Sequence, residues 1–153
     1  MSPTVRRAAA TDLDALAVLF DGYRRFYRQP SDLAGARRFL AERFEHGDSV
    51  IFVAALLDGA GLAGFTQLYP FFSSVRMRRV WILNDLFVAK DARRLGVAQA
   101  LMDAAHAFAA ETGAASVELA TERTNTSAQA LYDALGYERD DAFWHYALTL
   151  EHS

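Results

Sequence analysis

The sequence predicts an α/β fold of mixed α+β character, built on a six- to seven-stranded sheet whose strands run in both directions. Three observations carry that expectation. Short runs of β-branched and large apolar residues alternate with stretches whose apolar residues recur three to four apart, so strand and helix periods interleave along the chain. Three strand-like runs in the middle follow one another through short links, which calls for antiparallel pairing. A further strand is reached only after a full helix, which calls for a right-handed crossover to a parallel neighbour. At 153 residues the chain is long enough to build a core without metal or disulfide staples, and residues 1–153 read as a single domain.

Taken in order, Thr4–Ala8 is a short edge strand around Val5. Thr11 and Asp14 have the spacing of a capping box. Leu13, Leu16, Ala17, Phe20, Tyr23, Arg24 and Tyr27 then share one face of a first helix. Pro30 ends it and Ser31 is placed to cap a second helix, with Leu33, Ala36, Arg37, Leu40 and Phe44 inward and Gly47 as its C-terminal stop. The three adjacent strands are Ser49–Leu57, Leu62–Phe71 and Met77–Val88, joined by the turn Asp58-Gly59-Ala60-Gly61 and by Phe72–Arg76. A central helix carries Val97, Leu101, Ala104, Ala105 and Phe108 on one face and stops at Gly113. Ser116–Ala120 is the crossover strand. A last helix spans about Ser127 to Leu135 with Gly136 behind it, and Tyr137–Glu138 with Phe143–Leu150 read as a final hairpin. Two parallel neighbours paired only through their N-terminal halves splay at their C-terminal ends, and a ligand there meets exposed backbone groups of a strand.

Composition narrows the function classes. The chain has no cysteine, which removes disulfides, thiolate metal sites and a cysteine nucleophile. Sixteen basic residues stand against nineteen acidic ones, so charge does not indicate a nucleic-acid surface. His46, His106, His145 and His152 share no metal-ligand spacing with carboxylates, so no metal is expected. No apolar run approaches the roughly 20 residues of a membrane span, and the N-terminus lacks the charged-then-apolar order of a secretory signal. The expectation is a soluble, cytoplasmic protein with no membrane partner.

The stretch that organises the chain is Trp81–Met102. It opens as a strand (Val80 to Leu83, resumed at Leu86, Phe87 and Val88 after Asn84–Asp85) and closes as a helix. Between them, Arg93-Arg94-Leu95-Gly96-Val97-Ala98 is a small-residue turn into a helix start. Backbone N–H groups there have no partner within the helix and sit at the positive end of its dipole. A glycine lets a phosphate approach the backbone, and the arginines add charge. The pattern is that of a strand–loop–helix diphosphate site.

The motif Arg93-x-x-Gly96-x-Ala98 resembles the Q/R-x-x-G-x-G/A signature of the GNAT superfamily of acyl-CoA N-acyltransferases. Asn125-x-x-Ala128-x-x-Leu131-Tyr132-x-x-Leu135-Gly136-Tyr137 fits the same family, and the element order matches over nearly the whole chain. Within it, LNDLFVAKDARRLGVA is similar to the spermidine/spermine and thialysine acetyltransferases and the Hpa2-like group. The resemblance implies a GNAT-like sheet with helices on both faces and acetyl-CoA as cosubstrate, its pyrophosphate on the amides of Arg93, Arg94, Leu95, Gly96, Val97 and Ala98. The pantetheine arm would lie beside Leu86, Phe87 and Val88, with Asn125 near that arm and Tyr132 near the sulfur.

The chemistry of acyl transfer suits these residue types. An amine attacks the thioester carbonyl, and a bulged strand around Leu86–Val88 would offer an N–H to the oxyanion. Tyr132 is the candidate acid for the departing thiolate. A base must take the proton of an alkyl ammonium, whose pKa is about 10.4. Related enzymes often carry glutamate where this chain has Asn84, an amide that cannot serve. Asp85 follows, but alternation points it to the other face unless a bulge resets the phase; deprotonation through water with Asn84 orienting the substrate is the other route. Arg24, Arg25, Tyr27 and Arg28 fall where the family places an acceptor-site lid, and Tyr69, Phe71 and Phe72 are candidates for the pocket wall. Three arginines repel a polycation and can receive a carboxylate. A small or amino-acid-like primary amine is therefore the expected acceptor. The alternatives are a protein acceptor (a histone lysine or an N-terminus) and a non-catalytic CoA-binding sensor. A homodimer is expected through Phe143–Tyr146 and Tyr69–Phe72.

Overall fold

In the computed structural model, which describes residues 3–55 and 61–151, the chain forms two compact units, Met1–Ala120 and Thr121–Ser153. The first holds a five-stranded sheet in the order β1-β2-β3-β4-β5: β1 (Thr4–Arg7), β2 (Val50–Ala55), β3 (Leu62–Ser73), β4 (Arg78–Val88) and β5 (Ser116–Glu118). It also holds α1 (Leu13–Phe26), α2 (Leu33–His46) and α3 (Val97–Glu111). The first four strands pair antiparallel and β5 pairs parallel to β4. The mixed α/β class and the crossover follow the sequence expectation. The turn at Asp58–Ala60 and the end of the second strand at Leu56–Leu57 lie outside the described residues, as does His152.

Strand alternation divides the core into two layers. Ile51, Val53 and Phe65 face Leu16, Ala17, Leu19, Phe20, Ala36 and Leu40 of α1 and α2. The intervening residues face α3: Phe108 lies 5.7 Å from the Phe52 ring and 5.2 Å from the Trp81 ring. Phe65, Leu16, Leu40 and Leu101 are fully buried, each worth about 1.5–3 kcal/mol of transfer free energy. Helices therefore cover both faces.

Several local expectations are corrected. The first helix is not opened by Thr11 and Asp14: a 3₁₀ turn, Ala10–Asp12, precedes it, and the Asp12 carboxylate accepts the Ala9 N–H at 2.8 Å. Asp14 instead meets Arg37 at 2.7 Å, so Arg37 is a surface residue and not part of the buried face of α2. Leu33 is likewise exposed. The cap of α2 is Asp32, which accepts the Gly35 N–H at 2.9 Å. Ser31 donates to Asp21. Gly47 closes α2 in the left-handed region, φ 60°, as expected.

The sixth and seventh strands are not formed among the described residues. Tyr137–Glu138 and Phe143–Leu150 carry the apolar pattern of a hairpin, but a strand exists only where its backbone finds a ladder partner, and here it finds none. Phe143, Trp144, Tyr146, Leu148 and Leu150 are all 70% exposed or more. The second unit's helix, α4 (Thr126–Ala134), forms as expected.

Candidate active site

The site in the first unit is shaped by one inserted residue. In the β3–β4 ladder Gln67 lies opposite Asp85 and Leu68 opposite Leu83, so Asn84 is a bulge with no partner of its own. The sequence placed the bulge nearer Leu86–Val88; it falls at Asn84, ahead of that run. A bulge shifts the side-chain phase of everything beyond it. Asp85 is thereby turned onto the α1/α2 face, the same face as Gln67 and Tyr69, and this is the condition under which it becomes available there.

Asp85 is nearly fully buried. Its Oδ2 accepts from Gln67 Nε2 at 2.7 Å and its Oδ1 from Asn84 Nδ2 at 3.0 Å. Gln67 Oε1 in turn accepts from Ser49 Oγ at 2.8 Å. On the α1 side, the Tyr23 hydroxyl lies 3.4 Å from the Asn84 carbonyl. Burial, and then the adjacent Asp85 carboxylate, push the Tyr23 phenol far above the usual tyrosine value. The same two causes push Tyr69 up to about 12. Both phenols therefore stay protonated beside the carboxylate at neutral pH.

Beyond the bulge, β4 is an open edge. β5 pairs only with Val80, Trp81 and Ile82, and among the described residues no strand continues that pairing along Leu83–Val88. This is the expected splay. The outward groups can be read from their neighbours: Thr66 Oγ1 donates to the Asp85 carbonyl and Ala89 N–H donates to Ala63, both across to β3. By alternation, the N–H and C=O of Leu86 and Val88 face the open edge, and those of Phe87 face β3. The Val88 carbonyl accepts Arg93 Nε at 3.2 Å.

That edge runs into the helix start foreseen from sequence. Arg94 and Gly96 both adopt the left-handed region, φ 67° and 76°, and Gly96 is the N-cap of α3 without a side chain to cap it. The first N–H groups of α3, from Val97 and Ala98, therefore point outward with nothing from the cap residue on them. A Cβ on Gly96 would meet nothing within 4 Å, so the space above the loop is open. Arg93, Arg94 and Leu95 line its rim, all exposed. A pyrophosphate fits this cradle in charge and in donor geometry.

The remaining candidates are dispersed. Tyr27 caps the end of α1, its ring 5.2 Å from Tyr23. Arg24 lines a groove of about 400 Å³ between α1 and α2, with Phe20, Asp32, Arg38 and Glu42 among its neighbours, and donates to the Pro30 carbonyl at 3.3 Å. Phe71 stands exposed near the end of β3. In the second unit, Asn125 caps α4 by accepting the Ala128 N–H at 3.2 Å. Tyr132 lies on α4 with its ring 5.8 Å from Tyr137, whose phenol is raised to about 12 by burial and then by Tyr132. Among the described residues no group of three histidines or carboxylates is placed to hold a metal, and no helix is long and apolar enough to cross a membrane.

Tyr23, Gln67 and Ser49 were not singled out from sequence as site residues. Tyr23 reads as one of the apolar positions of α1. Gln67 carries a usable signal: it is a polar residue in the run Phe65-Thr66-Gln67-Leu68 of a strand whose same-face neighbours are apolar.

Comparison with known proteins accords with this geometry. Residues 16–137 match the model of the acetyltransferase (GNAT) family. An uncharacterized N-acetyltransferase, YhfO of Bacillus subtilis, is 48% identical over 146 residues, covering 95% of this chain and 97% of that one. A probable acetyltransferase of Haemophilus influenzae is 30% identical over 67% of this chain and 69% of its own. The crystal structure of a probable acetyltransferase superposes with a TM-score of 0.91 at 40% identity, covering 98% and 99% of the two chains. A ribosomal-protein-alanine N-acetyltransferase from Brucella melitensis shares the fold at 20% identity, TM-score 0.82, over 97% of this chain and all of that one. An open strand edge leading into an uncapped helix start, with a relative of nearly half identical sequence along almost its whole length, leaves one assignment: the chain belongs to the GNAT family and is an acetyl-CoA-dependent N-acetyltransferase.

Proposed function

We propose that this enzyme acetylates the primary amine of a small, amino-acid-like acceptor, with Asp85 receiving the ammonium proton, through water, and Asn84 orienting the amine. The observation that carries the reading is the bulge at Asn84, which brings a buried carboxylate onto one face of β4 just ahead of the open edge. Pantetheine pairs with the outward groups of Leu86 and Val88, and the pyrophosphate rests on Arg93 to Ala98. The amine lone pair attacks the thioester carbon, an outward N–H of the β4 edge receives the oxyanion, and the C–S bond breaks as Tyr132 donates its proton to the thiolate. The second proton on the attacking nitrogen passes to solvent as the amide forms, and solvent then restores the Tyr132 proton and takes up the one held by Asp85.

The acceptor class rests on charge. Arg24 and Arg25 lie in the last turn of α1 and Arg28 follows it, and three arginines favour a carboxylate-bearing amine over a polycation. A further relative points the same way: a D-amino-acid N-acetyltransferase of Saccharomyces cerevisiae, HPA3, is 31% identical over 81 residues, 53% of this chain and 50% of that one. Tyr27, Tyr69 and Phe71 would wall the acceptor pocket. We also infer a homodimer, because Phe143, Trp144, Tyr146, Leu148 and Leu150 are all exposed along one short segment, and clustered exposed apolar side chains mark association surfaces.

The test is CoA thiol release across a panel of polyamines, amino acids, lysine analogues, aromatic amines and a histone-tail peptide. Amino-acid-like amines are expected to give the highest kcat/KM. A panel led by spermidine refutes the acceptor class, and one led by the peptide moves the assignment to a protein acceptor. In the same assay Asp85→Asn lowers kcat/KM for the amine by about 10²–10⁴-fold, the range of general-base contributions; a Tyr132→Phe variant with full kcat removes the tyrosine from the acid role.

A further inference from the structure

We propose that Gln67 is the positioning residue of this site: braced by Ser49, it holds the Asp85 carboxylate in one orientation toward the acceptor. The inference rests on the reading of Asp85 as the base and deepens it.

Gln67 is fully buried in the middle of β3, with the buried apolar Phe65 on its own strand and Ile51 opposite on β2 among its same-face neighbours. A buried amide costs stability unless both ends are paired. Both are. A carboxylate only accepts, so the amide nitrogen must face Asp85, and the amide oxygen is thereby turned to the Ser49 hydroxyl. The contacts are 2.7 Å and 2.8 Å. The chain Ser49–Gln67–Asp85 runs side chain to side chain from just ahead of β2, across β3, to β4.

The bulge and the amide form a matched pair. Without the extra residue at Asn84, register would set Asn84 opposite Gln67 and turn Asp85 to the α3 face. With it, Oδ2 of Asp85 is taken by Gln67 and Oδ1 by Asn84. The other ionisable groups around the carboxylate are Tyr23 from α1 and Tyr69 from β3, with Tyr27 beside Tyr23 and Arg43 and Asp48 acting on Tyr69. Both adjacent phenols are held protonated, so near neutral pH the surroundings of Asp85 keep one protonation state, and the amides of Gln67 and Asn84 are its uncharged, non-titrating donors.

The experiment is the pH dependence of kcat/KM for the best amine of the panel, in the full chain. Gln67→Met keeps the volume and removes the donor. A carboxylate that loses a charge-assisted hydrogen bond takes up its proton more readily. The acid limb is therefore expected to move up by roughly one to two pH units, with KM for acetyl-CoA within about twofold of wild type. Ser49→Ala leaves the Gln67 donor in place but frees its amide, and a smaller shift in the same direction is expected; it also serves should Gln67→Met fail to fold. Profiles of folded variants that superpose on wild type overturn the positioning role. Asp85→Asn is the separating control: if it keeps wild-type kcat/KM, the base assignment itself falls, whereas loss in Asp85→Asn with an unmoved limb in both other variants removes Gln67 alone.

Discussion

Adding a single methyl group at Gly64 is the sharpest test of how the strand edge is supported. Gly64 lies in β3 opposite Val88, beneath the first turns of α3. A Cβ there would fall 2.7 Å from the Phe87 carbonyl oxygen, 3.2 Å from Val97 Cγ1 and 3.3 Å from Leu101 Cδ1. Carbon and carbonyl oxygen meet comfortably at roughly 3.3 Å, so the backbone of β4 must retreat by about half an ångström or α3 must lift. The first contact is to backbone, which cannot rotate away as a side chain would. Overpacking of this kind costs about 1–3 kcal/mol. For a chain of this size each kcal/mol lowers Tm by about 2–4 °C, so Gly64→Ala is expected to melt about 2–12 °C below wild type in a thermal scan. Because the strain is taken up between the β4 edge and the start of α3, KM for acetyl-CoA should rise as well. A Tm within about 1 °C of wild type would show that the strand and helix are free to part, and that this close approach does not set the cradle.

Two further predictions separate backbone conformation from charge. Gly96→Ala meets no neighbouring atom, but its φ of 76° is costly for any residue with a Cβ, by about 1–2 kcal/mol; a Tm fall of a few degrees is expected with a raised KM for acetyl-CoA and kcat at saturation little changed. Asp21 accepts the Asp32 N–H and the Ser31 hydroxyl, each at 2.7 Å, and these donors hold its carboxyl below the usual value against the opposing effect of burial. A lowered folded-state value means that the unfolded chain binds the proton more tightly, so this stability is complete above the usual carboxylate value and drains away as pH falls through the folded one. Asp21→Asn should therefore lower the urea midpoint near pH 7, by about 1–3 kcal/mol in stability, and that difference should shrink progressively as pH falls below the usual carboxylate value.

Much of this protein was legible in the residues because local physics dominates there. The helix start at Gly96 follows from a glycine between arginines and an apolar helical face, and the unpartnered N–H groups and positive dipole end that suit it to a phosphate belong to any uncapped helix N-terminus. The parallel return of β5 and the left-handed stop at Gly47 are equally local or topological, and they are present as expected. Caps misassigned by one or two residues, at Asp12 and Asp32, show the limit of that reasoning: neighbouring polar residues compete for the same few N–H groups, and small differences of geometry choose among them.

What only the tertiary structure decided is register. Whether Asp85 faces the α1/α2 side or the α3 side turns on one unpaired residue, and a slip of one exchanges the faces of everything beyond it. Nothing in the run Leu83-Asn84-Asp85-Leu86 states where that residue is inserted, because the choice is made by how β3 and β4 pair at Gln67 and Leu68. The partnership of Ser49, Gln67 and Asp85 is invisible in sequence for the same reason: residues 18 apart become neighbours only across a ladder. The C-terminal segment gives the converse case. Its apolar alternation is strand-like, but alternation describes a face, and a strand needs a partner that the chain alone does not specify.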